Sequence, residues 1–188
     1  MIQCLRNSIR FSYSPILFCY AAILLLIVPF RLLLAAIISA AVHELFHIFA
    51  IRLMRISINA IHIGVRGTEI STQPMTEKQE LLCALAGPIG GFLLFLFYRW
   101  IPAISLCAFV QSLYNLLPLY PTDGGRALQC CTNLLLSKKN ADRFLYVTEI
   151  LTVSAILAIG FYGSFWLHLG IIPLLFALSV LLRFSKNK

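Results

Sequence analysis

Long apolar runs separated by short polar clusters fill the chain from Pro15 to Leu182. They predict membrane-length or near-membrane-length helices over about 15–28, 32–53, 81–98, 101–117, 144–162 and 165–182. Pro29 with Arg31 ends the first run, and Lys138, Lys139 and Arg143 mark a membrane face before the fifth. Thr76 reads as the N-cap of the third helix, with Glu77 and Glu80 behind it. Between the second and third helices the period changes: Ile56, Ile58 and Ala60 alternate with polar residues, the phase slips at Ile61, and Ile61, Ile63 and Val65 resume before Arg66-Gly67. That pattern predicts a short β-hairpin, or strand pair, with a bulge. Its edge either holds an extended polypeptide by main-chain hydrogen bonds or simply connects two helices. The expected fold is an all-α polytopic membrane protein of about six transmembrane helices, with the β-hairpin between the second and third, in a single domain over 1–188.

Composition agrees with a bilayer setting. The chain is 60% hydrophobic and 12% charged, with mean hydropathy +0.90, values outside the range of a soluble domain of this length. The net charge of +8 does not point to nucleic acid, because the basic residues sit at segment ends and form no stripe with interleaved aromatics. With the N-terminus inside and six spans, 13 of the 15 basic residues fall on the inner side, leaving Arg31 and Arg99 outside. The positive-inside rule then predicts a multi-pass cell-membrane protein with both termini cytoplasmic. Six Cys without C-x-x-C spacing predict neither a disulfide framework nor a metal cluster. The apolar stretch from Pro15 to Val42, broken only by Arg31, is too long for a signal h-region and reads as an uncleaved span.

The second run carries His43-Glu44-Leu45-Phe46-His47. On a helix the two His lie one turn apart on one face and can grip one metal ion, and Glu44 stands beside that ion without ligating it, as a base acting on water does. This is the H-E-x-x-H arrangement of zinc proteases. A packed pair of core His would show the same spacing. However, ionisable groups inside a membrane-length run are costly and functional by default. Glu44 precedes Ile51 by seven residues, which sets the site about 10 Å inside one membrane face. A catalytic zinc takes three protein ligands and keeps one open position, so a third is required. Asn115 to Gly125 contains two Pro and two Gly, a non-helical stretch at membrane depth of the kind tolerated only where it is buried or lines a polar cavity. Asp123 in it is a candidate ligand, or equally the N-cap of a helix over 126–136. Glu69 and Glu80 remain open as ligands; the metzincin continuation is excluded by Ala50 and Leu53. His62 reads as solvated, His168 as interfacial, and Glu149 is an intramembrane acid without an evident partner.

HELFH in the second span, Ala86-Gly87-Pro88 opening the third, and Asn115-x-x-Pro118 followed by Asp123-Gly124-Gly125 resemble the site-2 protease family of intramembrane zinc metalloproteases. The resemblance implies one integral-membrane metalloprotease domain over 1–188, with one Zn2+ per chain on His43, His47 and Asp123. It makes Glu44 the catalytic base and Asn115 the residue that positions substrate or stabilises the oxyanion. The implied partners are a membrane-protein substrate, which must unwind to be cut, the lipid bilayer, and a separate regulatory membrane protein, with no nucleic acid. Phe46 departs from the family pattern, standing where many members carry Gly, and the chain has no room for an inserted PDZ domain or an extra C-terminal regulatory domain. Two other classes fit the same residues: an inactive membrane scaffold of the same fold, or a metal transporter. Against the transporter, neither motif occurs twice.

Overall fold

The computed structural model describes residues 10–64, 67–168 and 170–186. Its elements are β1 (Arg10–Tyr13), α1 (Ile16–Ile27), α2 (Phe30–Leu53), β2 (Ile58–Gly64), β3 (Gly67–Thr72), α3 (Glu77–Phe95), α4 (Pro102–Asn115), α5 (Asp123–Leu135), α6 (Lys138–Phe165) and α7 (Ile172–Lys186). The chain divides into two compact units, residues 1–113 and 114–188.

In the first unit the dominant element is α2. Its buried residues are Ala35, Ser39, His43, His47 and Ile51, a run at spacing four that makes one narrow stripe along the helix. Against it packs α3, whose buried positions Cys83, Ala84, Gly87, Pro88, Gly90 and Gly91 are all small or compact, as close helix approach in a membrane requires. A capping box starts α3: the Thr76 hydroxyl accepts from the Gln79 amide, and the Gln79 side chain accepts from the Thr76 amide. Ser39 Oγ donates to Gln111 Oε1 at 2.7 Å, tying α2 to α4. Where α2 ends, Ile51, Ile58, Ile61 and Cys83 form a core, with Ile48, Met54, Ile70 and Met75 packed on it.

The expected hairpin is present as antiparallel β2 and β3, with its irregularity between Ile58 and Ala60, close to the phase slip in the sequence. The sheet nevertheless has three strands, in the order β1-β2-β3. β1, which lies before the first apolar run and outside every element expected from the sequence, pairs parallel with β2, Arg10 opposite Ala60 and Tyr13 opposite Ile63. Nothing local in a four-residue strand announces a partner fifty residues away. Part of the hairpin turn, at Val65 and Arg66, lies outside the described residues.

In the second unit, Leu119, Val153 and Val180 form the core, with Leu117, Ile156, Leu157 and Leu181 packed against it. Gly160 of α6 meets Ala177 of α7 closely enough that a Cβ would collide.

The expectation of about six spans is met only in part. Among the described residues, two helices are long and apolar enough to cross a bilayer by themselves, Phe30–Leu53 and Lys138–Phe165. α1 has 12 residues, α4 has 14 and α7 has 15, or about 18 to 23 Å at 1.5 Å per residue, against a hydrocarbon core of about 30 Å. α3 has 19 residues but places Glu77, Lys78 and Glu80 in its opening turn. Apolar composition predicted these helices well, whereas helix length did not follow from it.

Candidate metal centre

His43 and His47 occupy adjacent turns on the buried stripe of α2, 4% and 6% exposed. Their Nε2 atoms are 3.1 Å apart. His47 Nδ1 is 2.8 Å from the carbonyl oxygen of Cys83 on α3. A carbonyl only accepts, so Nδ1 carries the proton and Nε2 of His47 presents its lone pair toward His43. A metal-ligating His is held in this way, with the far nitrogen donating to a backbone carbonyl to fix tautomer and ring orientation. Two nitrogens on a tetrahedral zinc with bonds of about 2.0 Å stand about 3.3 Å apart, and the observed pair is close to that edge. Gly87 leaves the space in front of them: a Cβ there would meet Nε2 of both imidazoles. The donor set and the cradle therefore fit a small borderline-soft cation such as zinc.

Glu44 follows His43 on α2 and is partly exposed, so its carboxylate does not compete for a place on the buried stripe. Phe46 is seated over Gly90 of α3, where a Cβ would overlap the ring. The bulk at position 46 is thus matched by the missing side chain at position 90.

Asp123 is the first residue of α5 and is 9% exposed. The alternative reading of Asp123 as a helix cap is corrected here: Thr122 is the N-cap, its side chain accepting from the Gly125 amide. The Thr122 hydroxyl also lies 2.6 Å from Leu117 O and 2.7 Å from Leu119 O. The cap is supplied by its neighbour, and the Asp123 charge is favourable at a helix N-terminus. Arg126 Nη1 stands 4.0 Å from Asp123 Oδ1, at the outer limit of an ion pair. A Cβ at Gly124 would overlap the backbone of Leu116, and one at Gly125 the backbone at Leu119 and Tyr120. The paired Gly thus let the non-helical segment lie directly on the first turn of α5.

His43 and His47 belong to the first unit and Asp123 to the second, and all three are donor types that a zinc ion accepts. Glu69 and Glu80, also open in the sequence, lie on β3 and in the first turn of α3. Asn115 is the last residue of α4. His62, expected to be solvated, accepts or donates across the sheet to Ser12 Oγ at 2.8 Å. The Cys83 carbonyl is invisible to sequence reasoning because any residue there would supply it.

A solved site-2 protease from Methanocaldococcus jannaschii superposes with a TM-score of 0.59, covering 91% of this chain and 86% of that one at 21% identity. The fold is that of a site-2 protease. No family model matches the sequence, and no curated protein does. At this identity the likeness to the site-2 protease concerns the path of the chain, and the chemistry rests on the residues themselves.

Proposed function

We propose that this chain is an intramembrane zinc metalloprotease, one domain over 1–188, that hydrolyses peptide bonds of membrane-spanning protein substrates. The observation that carries the reading is the buried His43–His47 pair, with facing Nε2 atoms 3.1 Å apart and the His47 tautomer fixed by the Cys83 carbonyl. The fold shared with the site-2 protease supports it. His43, His47 and Asp123 hold one zinc, and Glu44 and Asn115 act on the substrate. A bound zinc supplies Lewis-acid polarisation and a more acidic water.

The remaining chemistry belongs to the chain. Glu44 takes the proton from the attacking water and returns it to the leaving amine. Asn115 offers an amide N–H to the oxygen of the scissile carbonyl as charge develops there. His47, held by Cys83, keeps its orientation throughout, and Gly87 keeps side-chain bulk out of the space the substrate backbone needs. A transmembrane substrate has its amides engaged in helical hydrogen bonds and must unwind locally before cleavage.

The protein is multi-pass in this reading, with both termini cytoplasmic. The exposed aromatics at two helix ends support it: Trp100 beyond α3 and Trp166 beyond α6 are 72% and 74% exposed, as in an interfacial aromatic belt, and both fall on the outer side of the six-span topology. The test is cleavage of a reporter membrane-protein substrate in reconstituted vesicles by the unaltered protein and by Glu44→Gln. Proteolysis lost in the variant, with zinc content preserved, is expected. Equal cleavage by both proteins would sink the proposal. Zinc flux across the vesicles that survives the substitution would point to transport instead.

A further inference from the structure

Leu116 to Thr122 is non-helical, and backbone groups released from a helix in an apolar setting must find partners. Pro118 and Pro121 have no N–H, so four amides remain between Leu117 and Thr122. Leu117 donates to Tyr114 O at 3.1 Å, Leu119 to Leu117 O at 2.8 Å and Thr122 to Leu119 O at 2.8 Å. The fourth, Tyr120, donates to the side chain of Glu149 at 3.1 Å. Among these four, this is the bond made to a side chain, and to a residue 29 positions away.

Glu149 lies on α6, within a helix of spanning length, where an acid is retained at a cost and for a purpose. The proposed hydrolysis makes no use of it. Val153, Ile156 and Leu157 follow at helical spacing on the same face and pack, with Leu117 and Leu119, in the core of this unit. Apolar contact thus holds the segment generally against α6, and Glu149 fixes one point of its backbone. Asp123 begins three residues after Tyr120.

We propose that Glu149 is a positioning residue: through the Tyr120 amide it braces the Leu116–Thr122 segment from α6 and sets the backbone that carries Asp123. The role rests on the reading of Asp123 as a zinc ligand. The requirement is for an acceptor oxygen rather than for a charge, so Gln serves and Leu does not.

The test compares unaltered protein, Glu149→Leu and Glu149→Gln in detergent, by deuterium exchange over 117–122 and by zinc retention against a competing chelator. Glu149→Leu is expected to speed exchange at Tyr120 and to weaken zinc retention, each on the order of tenfold, the net size of one hydrogen bond. Glu149→Gln is expected to recover most of both. Unchanged exchange in a Leu variant that keeps its helix content overturns the brace, as does failure of Gln to recover it. Faster exchange with unchanged zinc retention overturns the positioning role. If the unaltered protein holds no zinc while exchange still responds, the metal centre reading fails and the positioning role with it, leaving only the hydrogen bond.

Discussion

Gly87→Ala adds one methyl group at the mouth of the His43–His47 pair. The new Cβ would stand 2.7 Å from His43 Cε1 and closer still to both Nε2 atoms, where ordinary carbon contacts are about 3.5–4.0 Å. Relief requires one imidazole or the α3 backbone to withdraw by about 1 Å, the shortfall from that contact distance. Neither imidazole has solvent to withdraw into, being 4% and 6% exposed. A metal site tolerates about 0.2 Å in its ligand distances, so the displacement removes the geometry long before it unfolds the helix pair. Overpacking of this kind costs about 1–3 kcal/mol, which corresponds to a fall in zinc affinity of about 5- to 150-fold if it is expressed at the site. The assay is competition with a chromophoric chelator in detergent, with helix content checked by circular dichroism. A folded Gly87→Ala protein that binds zinc as tightly as the unaltered one would refute the inference that both Nε2 atoms share a ligand in front of Gly87.

Gly90→Ala adds the same methyl one turn along α3, but against Phe46 rather than the imidazoles. It is expected to cost about 1–3 kcal/mol of unfolding free energy, and to become nearly neutral in a Phe46→Ala background. Thermal unfolding of the four proteins in detergent measures this coupling, and equal costs in both backgrounds would remove the lock between the two positions. For Glu44→Gln the expected loss in turnover is about 10²- to 10⁴-fold, the range of a general base, with zinc per chain unchanged; metal loss alongside activity would make Glu44 structural.

The helix that carries HELFH was legible because its signal is local. HELFH fixes a helical face by spacing alone, and that face coincides with the buried stripe Ala35, Ser39, His43, His47 and Ile51. The hairpin was legible for the same reason, since its period of two and its slip lie within one short stretch. The Pro and Gly residues from Pro118 to Gly125 announced a break, and Leu116 to Thr122 is indeed non-helical. Long-range features were not legible. β1 depends on β2, the Tyr120–Glu149 bond spans 29 residues, and the hold on His47 comes from a main-chain carbonyl. Thr122 and Asp123 are both good caps, and sequence did not choose between them because the choice depends on where the preceding segment lies. Helix lengths were not legible because apolar runs continue through breaks: α4 stops at Asn115, although its apolar pattern continues to Leu117.

The central claim is that His43 and His47 share one zinc with Asp123. Its most direct test is zinc per chain in detergent for the unaltered protein and for Asp123→Ala. About one zinc per chain is expected, as for a three-ligand catalytic site, falling sharply in the variant. The same zinc content in both proteins would contradict the role of Asp123, and no zinc in a folded unaltered protein would contradict the metal centre itself.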